Sequence, residues 1–144
     1  MTTGSGRILA LDLGARRIGL ALSDELGWTA QGLPTLLRKN MQLDLEALAR
    51  LIREREVERV IVGNPLRLSG AESTGSEQAA RFAEKLRRRT GVKVELWDER
   101  LTTREASRVL RESGISIEKR AKAVDRLSAV LLLESYLDYC GNRS

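Results

Sequence analysis

Three acidic positions in this chain stand where a carboxylate is costly, and together they could hold metal ions. Asp12 closes a run, residues 8–11, that is apolar without alternation. A strand of that pattern is buried on both faces, so a carboxylate at its end must be neutralised by turn amides, an arginine or a cation. Asp98 and Glu99 end a second strand-like stretch, residues 92–97, just ahead of a helix start. Pleating sends neighbouring side chains to opposite faces, so one of the two can face a site while the other faces away or caps the helix. Asp125 shares a helical stripe with Ser128, Ala129 and Leu132, and adds a charge to a face that is otherwise small or apolar.

Each acid also has a structural reading. Asp12 can accept hydrogen bonds from the turn amides at Gly14 and Ala15. Asp98-Glu99 can be a solvated strand end, and Asp125 can pair with Lys122 or Arg126. Three carboxylates at the ends of three different elements can, however, be brought together by one fold, and would then repel each other. Two divalent cations about 3.5–4 Å apart would offset that repulsion, activate a water and stabilise the leaving oxygen in phosphodiester hydrolysis.

Composition narrows the chemistry further. There is no histidine, and Cys140 is the single cysteine. Histidine general bases, Ser-His-Asp triads, Cys-His dyads, disulfide frameworks and Cys- or His-ligated metals are therefore excluded. A site built from carboxylates favours hard ions, Mg²⁺ or Mn²⁺. The net charge is +5 with arginine dominant, which favours a polyanionic partner, nucleic acid being the commonest. Arg16, Arg17, Arg67 and Arg100 flank the acids in sequence, and Lys122 lies beside Asp125; these are the expected phosphate contacts. Aromatic residues make up 3% of the chain, so recognition should rest on backbone charge more than on base stacking.

The elements that must position these residues can be read from periodicity. Residues 7–14 give a central strand, Gly14-Ala15-Arg16 a tight turn, and residues 17–23 a second strand; so short a connection requires an antiparallel hairpin. The stretch around 28–37 reads as an edge strand, which suits Pro34. Leu45, Leu48, Ala49 and Ile52 mark a helix. Residues 57–62 form a fourth strand, and a strand after a helix suggests parallel pairing. Residues 66–75 lack any period and read as an exposed loop that could gate the site. Ser76 is placed to cap a helix bearing Ala79, Phe82, Ala83 and Leu86, stopped by Gly91. A fifth strand follows at 92–97, then a helix from Thr102 to Gly114 and a last one over 118–139. The expectation is one α/β domain over 1–144, with 1–6 as a flexible tail, no membrane segment, a cytoplasmic location, and either a monomer or a homodimer.

Four segments carry a family resemblance: DLGARRIGLALSD (12–24), IVGNPLRLSG (61–70), WDERLTTREA (97–106) and KAVDRLSAVLLLESYL (122–137). In this order they resemble the YqgF/RuvX family of RuvC-like Holliday junction resolvases, to which a role in maturing the 5′ end of 16S ribosomal RNA is assigned. The resemblance implies an RNase H-like fold with a five-stranded mixed sheet in the order 3-2-1-4-5. It places the acidic, metal-holding site on Asp12, Glu99 and Asp125; Asp98, beside Glu99, is the reserve should Glu99 prove dispensable. RuvC-type resolvases carry two acids one turn apart on the last helix; here the second position is Ser128. That departure favours metal-dependent hydrolysis in general over junction resolution in particular. The substrate is then RNA, structured DNA, or both.

Two other readings stand beside the nuclease. A non-catalytic nucleic-acid-binding module of the same fold needs only the basic surface. A fragment of an actin–Hsp70-like ATPase would also open with a strand, Asp-x-Gly and a hairpin, although such enzymes clamp nucleotide between two related domains.

Overall fold

The computed structural model describes residues 6–64, 74–98 and 117–140, with the backbone alone for residues 74 and 117–126. The helix expected over 102–114, most of the loop at 66–75, and Arg67, Glu99 and Arg100 lie outside the described residues.

Five strands and three helices are described: β1 (Arg7–Leu13), β2 (Arg17–Ser23), β3 (Ala30–Leu37), α1 (Met41–Glu54), β4 (Val57–Asn64), α2 (Thr74–Thr90), β5 (Lys93–Asp98) and α3 (Ile117–Tyr139). The sheet order is β3-β2-β1-β4-β5. β1 pairs antiparallel with β2, and β2 with β3; β1 pairs parallel with β4, and β4 with β5. This is the expected mixed sheet, with the two-faced apolar strand at its centre and the Pro34 strand at an edge.

Strand alternation divides the core. Leu9, Leu11, Val60 and Val62 pack with Leu48 and Ile52 of α1 and with Phe82 and Leu86 of α2. Ile8, Ala10 and Ile61 face the other way, onto Ala129, Leu132, Leu133 and Leu137 of α3. Each helix thus buries the apolar stripe that its sequence carries, and the small residues Ala10 and Ala21 let α3 approach the sheet closely.

Local signals set the element ends. Asn40 caps α1, its side chain accepting from the Leu43 amide at 2.9 Å. Gly91 ends α2 at φ +77°, a left-handed conformation that favours glycine, and its amide donates to the Arg87 carbonyl at 2.8 Å. One expectation is corrected here. Ser76 is not the cap of α2: the helix begins two residues earlier, at Thr74, and the Ser76 hydroxyl donates to the Asn64 side chain at 2.7 Å. Thr74 and Gly75, expected in the loop, are its first turn.

α3 lies across the sheet, contacting β1, β2 and β3 and reaching β5 near its C-terminus. There the Tyr136 hydroxyl donates to Glu95 Oε1 at 2.7 Å and accepts from Arg59, while Trp97 packs edge-on against the Tyr136 ring at 5.0 Å. Burial, and then the bond to Glu95, push the Tyr136 phenol up to about 12 against the opposing pull of Arg59. An unfolded tyrosine releases its proton near pH ~10. The stability contributed by this phenol is therefore complete below about pH 10 and is lost as pH rises through about 12. Tyr136→Phe removes this titration. Its unfolding free energy, followed by urea denaturation across alkaline pH, should fall less steeply than that of the wild type. Parallel decline would show that other groups govern alkaline unfolding.

Candidate active site at the carboxyl end of the sheet

The first acid is set by its strand. Asp12 ends the apolar run of β1 and is only 9% exposed. It lies two residues beyond Ala10, so it shares the face of β1 that packs against α3. The parallel neighbours fix its level in the sheet: Leu11 pairs with Val62, and Val62 with Leu96. Asp12 therefore stands at the sheet end where β4 and β5 also finish, the end at which open α/β sheets place their sites.

The reserve acid falls elsewhere. Val94 and Leu96 pack into the core under α1 and α2, whereas Glu95 and Trp97 contact α3. Asp98 has the parity of Val94 and Leu96, so it points to the α1/α2 side, away from the face that Asp12 uses. Glu99 follows it and lies outside the described residues. Asp125 and Lys122 lie within α3, with Asp125 one turn before the buried Ser128 and Ala129. Among the described residues, no three acidic, Cys or His side chains come together as a metal cluster. Ser128 adds an unusual feature to this face. It is 1% exposed, and among the described residues its hydroxyl has no hydrogen-bond partner.

The turn after Asp12 is tightly held. The Gly14 amide donates to the Arg17 carbonyl at 2.8 Å, which closes the β1–β2 hairpin. Arg38, at the end of β3, donates from its guanidinium to the Gly14 carbonyl at 2.7 Å and from its amide to the Arg16 carbonyl at 2.8 Å. Asp44, buried in the first turn of α1, holds Arg38 at 3.7 Å and accepts from the Lys39 amide at 3.0 Å. With Asp44 buried and Arg38 half-buried, this ion pair is a modest source of net stability but a constraint on geometry. It fixes the turn that carries Arg16 into solvent. Of the expected phosphate contacts, Arg16 is exposed in that turn and Arg17 is half-buried at the start of β2.

Beside this turn, on the α1/α2 side of the sheet, opens a cavity of about 740 Å³ that sequence reasoning missed. Arg16, Arg38, Lys39 and Arg81 line it, over an apolar floor that includes Leu13 and Phe82. The available signal was Arg38-Lys39 immediately before the helix cap Asn40, which places two cations at a helix start.

Comparison with known proteins gives the family and the fold. Residues 6–139 fit the family model described as RuvX, Holliday junction resolvase. A protein of Koribacter versatilis is 59% identical over 136 residues, covering 94% of this chain and 89% of its own length; one of Syntrophus aciditrophicus is 50% identical over 132 residues, covering 92% and 88%. Both bear the name "Putative pre-16S rRNA nuclease". Among solved structures, Thermus thermophilus RuvC in complex with a Holliday junction superposes with a TM-score of 0.56 at 13% identity, over 94% of this chain and 96% of that one. The fowlpox virus resolvase bound to Holliday junction DNA gives a TM-score of 0.57 at 14% identity, over 93% and 98%. At such identities the likeness is one of fold, and the fold is the RNase H-like fold of the RuvC-type resolvases.

Proposed function

Because the chain belongs to the RuvX family of Holliday junction resolvases, we propose that it is a divalent-metal-dependent nuclease, hydrolysing phosphodiester bonds in 16S rRNA 5′-end maturation, on branched DNA, or on both. The observation that carries this reading is Asp12: a buried carboxylate at the carboxyl end of the central strand, on the face that α3 covers.

The donor chemistry fits a hard cation. With no histidine in the chain, the ligands are carboxylate oxygens, for which Mg²⁺ and Mn²⁺ are suited. Asp12, Glu99 and Asp125 would hold the ions, and the buried Ser128 hydroxyl would offer a further polar atom on the same helix as Asp125. Bound there, two ions would polarise the phosphate and make water a competent nucleophile at neutral pH.

The remaining steps belong to the protein. Asp12 is 9% exposed, and a charge so little hydrated interacts more strongly with its neighbours than one in open solvent. Arg16 and Arg17, carried by the hairpin turn, are proposed to meet phosphates flanking the cut, and Arg67, Arg100 and Lys122 to do the same. Such contacts set the register of the strand without reading its bases.

The test is a substrate panel with Mg²⁺ or Mn²⁺: a 16S precursor 5′ leader, a four-way DNA junction, and linear RNA and DNA of matched length. Preferential cleavage of the leader or the junction supports the proposal and chooses between them. Binding without cleavage across the panel would show a nucleic-acid-binding module instead.

A further inference from the structure

We propose that the cavity between the β1–β2 turn, α1 and α2 is a second nucleic-acid site, which holds one nucleotide of the substrate strand by its phosphate on the opposite side of the sheet from Asp12. The inference rests on the nuclease reading for the identity of the strand, but its evidence is separate. The cavity measures about 740 Å³, within the range of pockets that bury small ligands. Among the described residues, its lining carries four cations, Arg16, Arg38, Lys39 and Arg81, against one carboxylate, Asp44. That carboxylate is already engaged by Arg38 and by the Lys39 amide. Among the described residues, no acidic side chain pairs with Arg16, Lys39 or Arg81. Unpaired cations around one concavity repel each other, and an entering phosphate relieves that repulsion.

Two features select a nucleotide over a bare phosphate ion. The floor is apolar, with Leu13, Met41 and the fully buried Phe82, and it suits a sugar or base edge rather than a small hydrated anion. The volume also exceeds what one phosphate needs. A further feature selects a strand over a free mononucleotide. Leu13 and Gly14, which line the cavity, directly follow Asp12. A polymer crossing the carboxyl end of the sheet can therefore present one phosphate to the acidic face and another to the basic cavity.

The experiment measures binding of a fluorescent single-stranded 12-nucleotide RNA in Ca²⁺, across a salt series. Wild type is compared with Arg81→Glu, Lys39→Glu and Arg53→Glu. Arg81 and Lys39 are exposed, so their replacement leaves the core untouched. Arg53, in the last turn of α1, lies at the far end of that helix from the cavity. Expected are losses of about tenfold or more for Arg81→Glu and Lys39→Glu, with the slope of log affinity against log salt lowered by about one unit. Arg53→Glu should match wild type. Equal affinity in all four proteins overturns the proposal. So does a result in which adenosine monophosphate raises the melting temperature of wild type but not of Arg81→Glu while oligonucleotide binding is unchanged, since the cavity would then take a free nucleotide. Cleavage assayed on the same samples separates the two readings. An inactive wild type whose RNA binding still depends on Arg81 removes the nuclease assignment and keeps the site. An active Arg81→Glu with unaltered affinity does the reverse.

Discussion

Asp12→Asn should lower cleavage by about 10²–10³-fold or more, the loss typical when one preorganised electrostatic group is removed from a low-dielectric site. The substitution keeps the shape of the side chain, so the packing of the β1 face that carries Ala10 against α3 is retained. It removes one charge from a group of acids proposed to repel each other, so the metal-free protein should be as stable as wild type or more so. A second readout is independent of turnover. Mn²⁺ should raise the melting temperature of wild type, because an ion that binds only the folded state stabilises it by mass action. In Asp12→Asn that rise should shrink or vanish. Full activity, or an undiminished Mn²⁺ shift, would remove Asp12 from the site.

An effect of similar size should separate two neighbours. Glu99→Gln should lower cleavage by about 10²–10³-fold, whereas Asp98→Asn should stay within a few-fold of wild type. The motive is strand parity. Asp98 falls in line with Val94 and Leu96, whose side chains enter the α1/α2 core, while the opposite parity, that of Glu95 and Trp97, faces α3 and the side on which Asp12 lies. A carboxylate that leaves the sheet on the wrong side cannot share an ion with Asp12. Single-turnover rates on one labelled substrate make the comparison. Loss of activity in Asp98→Asn with retention in Glu99→Gln would reverse the assignment. Asp125→Asn is expected to behave as Glu99→Gln does, since α3 carries that residue one turn ahead of the buried Ser128 and Ala129.

What the sequence made legible follows from how local each signal is. The unbroken apolar run before Asp12 announced a central strand, and β1 is central. The short Gly14-Ala15-Arg16 connection required an antiparallel hairpin, and β1 and β2 form one. Helix stripes such as Leu45, Leu48 and Ile52 were visible because amphipathic periodicity survives without tertiary context. Strand order itself came from the family resemblance. Ser76 was misread because its capping chemistry is equally satisfied by a distant partner: Asn64, at the end of β4, takes the hydroxyl that was expected to close the helix. The basic cavity could not be read at all. Arg16, Arg38 and Arg81 are far apart in sequence and meet only when a hairpin turn, a strand end and a helix converge. The Arg38–Asp44 pair that shapes it spans the junction of β3 and α1, where no periodicity applies. Of the proposed acids, the described residues fix the face of Asp12, and they assign Asp98 to the other side.

The most direct test of metal-dependent hydrolysis centred on Asp12 is a titration of Mn²⁺ into chelator-stripped wild-type protein with a 5′-labelled 16S precursor leader. Asp12→Asn is carried alongside at every concentration. Expected is no cleavage before metal is added, a rate in the wild type that rises with Mn²⁺ to a plateau, and a rate in Asp12→Asn lower by about 10²–10³-fold throughout. Cleavage at the plateau rate in excess chelator, or equal rates for the two proteins across the titration, would contradict it.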